Sequence, residues 1–180
     1  MIPYGKQQIT EGDIQAVVDV LRGDFITQGE MVPKFEESMS LRCGGAFGVG
    51  VNSGTSALHL ACLALGLGAG DYFWTVPNTF VATPNVARHC GAQVDFVDID
   101  PLTWNLSMDA LDAKLEQAKK DDKLPKIVAP VHFAGQPCDM PALYARAGEF
   151  GFRIIEDAAH ALGATIGEDA TGSCRYSDVT

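Results

Sequence analysis

Several features that would settle a protein's class early are missing from this sequence. It has no run of about eighteen apolar residues, the length a membrane-spanning helix needs. Its cysteines, Cys43, Cys62, Cys90, Cys138 and Cys174, are odd in number and never closely paired. Neither a disulfide framework nor a zinc site has that spacing, so no metal site is expected, and free thiols in a reducing cytoplasm are. Basic residues are scarce, 13 against 23 acidic ones, giving a formal net charge of −10. That balance argues against a general grip on nucleic-acid backbone, although local N–H groups can still hold a small anion. Met1-Ile2-Pro3-Tyr4 lacks the basic-then-apolar pattern of a secretory signal. The expectation is a cytoplasmic protein with neither nucleic acid nor membrane as partner. A GxGxxG after the first strand and a GxxxxGK(S/T) are also missing, which removes the usual support for dinucleotide and P-loop readings.

What remains is a chain of 180 residues, 47% hydrophobic and 20% charged, long enough for one buried core. Ile14, Val17, Val18 and Leu21 recur at helical spacing before Gly23, and Pro33–Leu41 reads as a second helix with Phe35 and Met39 inward. Phe47–Val51 is short and apolar enough for a buried strand, and a helix follows from Ala57 to Leu65. Strands at Tyr72–Val76, Val94–Ile99, Ile127–Val131 and Phe152–Ile155 alternate with helices at Phe80–His89, Met108–Ala118 and Pro141–Phe150. Such alternation, with strands apolar on both sides, predicts an α/β fold: a mostly parallel sheet with helices on both faces. Tyr176–Thr180 reads as the start of one more strand.

Ligands of open α/β sheets lie beyond the carboxyl ends of the strands, and three segments fall there. Asn52-Ser53-Gly54-Thr55-Ser56 is a polar turn at a helix start, able to cup a phosphate; taken alone, simple helix capping explains it better. Thr79-Phe80-Val81-Ala82-Thr83 places an aromatic ring after a strand, where it can stack on a planar heterocycle or join the core. Glu156-Asp157-Ala158-Ala159-His160 places acidic residues directly after an apolar strand, where a carboxylate calls for a cationic partner or caps a helix. An anion cup, a stacking ring and a carboxylate together suit a planar, phosphorylated, cationic cofactor: pyridoxal 5'-phosphate.

The stretches IPYGKQQI, FITQGEMVPKFE, VNSGTSALHLA, PNTFVATPN, VDFVDIDPLTWN, PVHFAGQPCDM and IIEDAAHALGA resemble, in order, the DegT/DnrJ/EryC1/StrS family of sugar aminotransferases. The resemblance implies the large domain of the pyridoxal-phosphate-dependent transferase fold type I, and it implies roles. Gly54, Thr55 and Ser56 match the phosphate-binding turn, Phe80 the ring-stacking position, and Asp157 the partner of the pyridine nitrogen. His160 matches a position near the cofactor's ring hydroxyl, whereas Glu156 matches no cofactor contact. Tyr4 and Asp24-Phe25-Ile26-Thr27 match positions that approach a nucleotide-sugar substrate, with core packing the alternative for Phe25 and Ile26. The implied partners are the nucleotide sugar, L-glutamate and a second copy in a homodimer. FITQG, HFAGQPCDM and GSCRYSD lean toward enzymes of pseudaminic acid-type sugar synthesis.

In the family a Schiff-base lysine follows the segment matching Tyr176–Thr180, and none of Lys6, Lys34, Lys114, Lys119, Lys120, Lys123 and Lys126 stands in a comparable context. The chain therefore reads as an N-terminal portion, residues 1–180, that holds the major cofactor-binding region and is inactive alone. The lysine and a smaller C-terminal domain would lie beyond Thr180. A sugar dehydratase of the same family and a non-catalytic binding module are the competing readings. Outside the matched motifs, His59 reads as a core histidine, His89 as a helix-end residue, and Trp74 and Trp104 as packing residues. His132 reads equally as a site residue or a turn residue.

Overall fold

Alternation along the short strands decides the layering in the computed structural model, which describes residues 6–45 and 47–180. Side chains of a strand point alternately to opposite faces. Phe73, Ile127, Ala129 and Ile155 accordingly join one apolar cluster, with Ala61, Cys62, Val86 and Ala87. Trp74, Val128 and Ile154 join another, with Leu111, Leu115, Met140 and Leu143. The strands are β1 (Tyr72–Thr75), β2 (Gln93–Phe96), β3 (Ile127–Val128) and β4 (Arg153–Ile154), all parallel, in the order β2-β1-β3-β4. Helices α3 (Gly54–Ala64) and α4 (Ala82–His89) cover the first face, and α5 (Met108–Lys120) and α6 (Met140–Phe150) the second.

The strand order explains that division. The chain leaves β1 for β2 on one side, then returns past β1 to β3 and β4 on the other. Crossovers of one hand then place α4 opposite α5 and α6. The reversal makes a switch point between β1 and β3, at whose carboxyl ends a crevice opens.

Most predicted elements are present, several with shifted bounds. Helix α3 starts at Gly54 rather than Ala57, because Ser53 caps it: the Ser53 hydroxyl accepts from the Ser56 N–H at 3.1 Å. The third strand stops at Val128, where Pro130 removes a ladder donor, and resumes as one bridge from Val131 to Asp157. Tyr176–Thr180 makes a single parallel bridge, Val179 to Ile155. Phe47–Val51 is not a strand: none of the described residues pairs with it, and Phe47 is 93% exposed. A hairpin of β5 (Thr165–Ile166) and β6 (Asp169–Ala170) was not foreseen. Helices α1 (Glu11–Arg22) and α2 (Met31–Cys43) form where expected, but neither buries a residue fully. Met39 is half-buried, and Phe35, expected inward, is exposed.

Candidate active site

A cavity of about 770 Å³ opens at the switch point, walled by segments that follow β1, β3 and β4 and by the start of α3. Gly54, Thr55, Phe80, Asp157 and His160, five of the residues singled out in the sequence, all line it.

Asp157 is the most constrained of them. Its N–H donates to the Pro130 carbonyl at 3.0 Å and its carbonyl accepts from the His132 N–H at 3.1 Å, so the backbone is held on the neighbouring segment. Side-chain Oδ2 accepts from Thr83 Oγ1 at 3.1 Å and Oδ1 from the Ala159 N–H at 3.3 Å. An ionised carboxylate has about four lone-pair directions, so two remain for a donor in the cavity. No lysine or arginine stands among the described lining residues, whereas Glu36, Glu156 and Asp157 do. The site therefore favours a ligand that brings its own cation.

Phe80 lies between β1 and α4 with its side chain 74% exposed, which excludes core packing within this chain and leaves a ring face to the cavity. Gly54 and Thr55 are the first residues of α3, where N–H groups have no helical carbonyl partner and the positive end of the helix dipole lies. The reason for glycine here is space rather than backbone freedom. A Cβ on Gly54 would meet nothing within 4 Å, and its φ is not left-handed, so the open volume belongs to the cavity. Ser56 does not join the wall: its hydroxyl donates to Asn52 Oδ1 at 2.7 Å and it stays within the cap.

Asp24, Phe25, Ile26 and Thr27 are exposed in the connection between α1 and α2 and do not line the cavity. Their exposure also removes the core-packing alternative for Phe25 and Ile26. Tyr4 lies outside the described residues. His59 is half-buried with its ring edge-on to His89, so it is not the enclosed core histidine expected. Trp74 is buried, as expected of a packing residue, whereas Trp104 is exposed and stacks on Phe133. Burial pushes the thiols of Cys62 and Cys138 up to about 12, which leaves both unreactive.

Two supporting residues and one pairing escaped the sequence reading. The first is Thr83, fully buried, which accepts from Thr79 Oγ1 at 2.8 Å while it donates to Asp157. The second is Gly135, whose φ is +89° and whose Cβ would stand 2.9 Å from the His160 carbonyl oxygen. Only glycine lets the two backbones approach that closely, and this sets where the His160 segment lies. The third is the buried pair His132 and Glu156. His132 Nδ1 accepts from the Cys138 N–H at 3.1 Å, which assigns the ring proton to Nε2, and Nε2 donates to Glu156 Oε1 at 3.0 Å. Glu156 also accepts from the Gly172 N–H at 3.2 Å and Ser177 Oγ at 3.0 Å. Burial raises its pKa, but these donors more than offset that, so the carboxyl lies below its ordinary value. The signals available were the PVHFAG and TFVAT stretches, but the partners are distant in sequence.

Solved structures give the class. Spr1654 of Streptococcus pneumoniae, solved in its pyridoxamine-phosphate form, superposes with a TM-score of 0.87 at 33% identity, covering 99% of this chain and 46% of that one. Helicobacter pylori PseC, an aminotransferase of pseudaminic acid biosynthesis, gives 0.85 at 26% identity, covering 94% and 44%. The fold is that of the pyridoxal-phosphate-dependent aminotransferases. Residues 7–179 match the DegT/DnrJ/EryC1/StrS aminotransferase family, and the chain belongs to it. Its relatives include the spore coat polysaccharide biosynthesis protein SpsC of Bacillus subtilis, 39% identical over 96% of this chain and 43% of that protein. Another is the UDP-4-amino-4-deoxy-L-arabinose–oxoglutarate aminotransferase of Shewanella sediminis, 38% identical over 98% and 45%. The chain thus spans less than half the length of the relatives it matches.

The family's cofactor is pyridoxal phosphate, and the cavity has the features such a group requires. It combines an empty cradle above Gly54, a free ring face on Phe80, and a carboxylate with unused lone pairs on Asp157.

Proposed function

We propose that the protein is a nucleotide-sugar aminotransferase that moves an amino group from L-glutamate to the 4-keto carbon of a UDP-linked 2-acetamido-dideoxy-hexose. The observation that carries this is the convergence of Gly54–Thr55, Phe80 and Asp157 on one cavity at the switch point. The acetamido-sugar preference rests on the FITQG, HFAGQPCDM and GSCRYSD stretches and on the likeness to PseC. As members of an aminotransferase family are expected to, the protein would work as a homodimer.

The cofactor, when bound, supplies an electron sink that acidifies the α-carbon of an amino acid. This chain's residues hold and tune it. The Gly54 and Thr55 N–H groups take the phosphate at the α3 terminus, where the dipole favours negative charge. The Phe80 ring fixes the plane of the heterocycle. Asp157, whose Oδ2 and Oδ1 already accept from Thr83 and Ala159, would offer its remaining lone pairs to the ring nitrogen and keep the proton there. His160, on the same wall, would serve the ring's hydroxyl. The chain's lysines all lie off the cavity: Lys126 pairs with Asp71, Lys114 with Asp95 and Lys34 with Glu30, while Lys6, Lys119, Lys120 and Lys123 are exposed. None of them is placed to hold the cofactor covalently, so the contacts these residues would offer it are non-covalent.

The test uses the full-length protein loaded with pyridoxal phosphate. L-glutamate should shift its absorbance to the pyridoxamine form, and a UDP-4-keto-2-acetamido-dideoxy-hexose should reverse the shift faster than a UDP-4-keto sugar without the acetamido group. No response to glutamate would remove the aminotransferase reading. Equal rates would remove only the substrate preference.

A further inference from the structure

Thr83 is the second residue of α4, fully buried, and its hydroxyl reaches an acidic residue 74 positions later in the chain. A threonine hydroxyl in a helix usually bonds back to a carbonyl of the preceding turn. Here it does not. Thr83 donates its hydroxyl proton to Asp157 Oδ2. With that single proton used, Thr79 must donate to Thr83 at 2.8 Å. Both proton positions in this two-hydroxyl relay are therefore fixed. Oδ1 of Asp157 is fixed separately by the Ala159 N–H at 3.3 Å. One contact from α4 and one from the β4 loop thus set the rotation of the carboxylate about its own bond.

The same five residues, Thr79 to Thr83, also carry Phe80. We propose that Thr83 is a positioning residue: it orients Asp157 toward the pyridine nitrogen and couples that orientation to the ring plane set by Phe80 one turn earlier. This rests on the cofactor site proposed above and adds to it the group that aims its carboxylate. Removing the hydroxyl leaves the Asp157 carboxylate short of one donor and held by the Ala159 N–H alone. Changing Thr83 to valine keeps the shape and deletes that donor together with the acceptor for Thr79 Oγ1.

The experiment measures dissociation constants of the full chain for pyridoxamine 5'-phosphate, which needs no lysine to bind. The variants are Thr83→Val, Thr83→Ser, Asp157→Ala and the double T83V/D157A, with thermal melting as a folding control. Thr83→Val should weaken binding about tenfold, the loss expected for one hydrogen bond to a charged group. Thr83→Ser should stay within about threefold of wild type, because it retains the hydroxyl. The double variant should bind no more weakly than Asp157→Ala, since Thr83 acts only through that carboxylate. The role is overturned if Thr83→Val binds like wild type, if the two losses add, or if Thr83→Ser loses as much as valine. Where the valine variant fails to fold, Thr83→Ala takes its place, with the same loss expected and the same comparison with serine. Wild-type affinity in Asp157→Ala would overturn the cofactor site itself, and this role with it.

Discussion

Glu156 is a carboxylate, 4% exposed, held by N–H and O–H donors of His132, Gly172 and Ser177. Its depressed pKa makes stability depend on pH in a defined direction. The contribution is complete above the ordinary value of 4.5 and is lost as pH falls through the lower value of the folded state. Thermal melts between about pH 6 and pH 3 should therefore show an acid-side loss that is smaller in Glu156→Gln. Glu156→Ala, which strands three buried donors, should destabilise by about 2–3 kcal/mol at neutral pH, read from urea unfolding. Phe80→Ala should behave in the opposite way. The ring is exposed, so melting should hardly change, while pyridoxamine-phosphate affinity falls about three- to tenfold. Asp157 and Phe80 were legible as candidates because carboxylates and aromatics after apolar strands are conspicuous in sequence. Thr83 and Gly135 were not, nor was the pairing of His132 with Glu156, because in each case only the folded chain brings the partner near: Asp157, the His160 backbone and Glu156.

At the scale of elements, the start of α3 combines two functions that mutations can separate. Ser53 supplies the cap, so Ser53→Ala should cost about 1 kcal/mol of stability, measured by denaturant unfolding. Gly54 supplies the space, so Gly54→Val should leave stability close to wild type and displace the phosphate, which a loss of pyridoxamine-phosphate binding would report. The central strands were readable because Phe73, Trp74, Ile127, Val128, Ile154 and Ile155 are apolar on both sides, as only a covered parallel strand requires. Phe47–Val51 has the same composition and is no strand, since a ladder also needs a neighbour and none of the described residues provides one. Apolar content marks what is to be buried and leaves the burying partner unspecified.

Across the whole molecule, apolar side chains on α1 and α2, Ile14, Val17, Leu21, Phe35 and Leu41, stay exposed, as do Phe47 and Val49. Surface of that extent is unusual on a free monomer and fits the proposed homodimer. Sedimentation of the chain should accordingly give a mass above the 19.2 kDa monomer. Strand order places the cavity at the β1/β3 reversal, so its location follows from topology, while its chemistry follows from a few residues at the strand ends. The central claim is that this cavity is a cofactor cradle that holds phosphate and ring without a covalent bond. Calorimetric titration of the chain with pyridoxamine 5'-phosphate tests it most directly, beside pyridoxamine without the phosphate and the Asp157→Ala variant. Saturable one-site binding that weakens when either the phosphate or the Asp157 carboxylate is removed is the expected result. Absence of binding, or equal affinity in all three titrations, would contradict it.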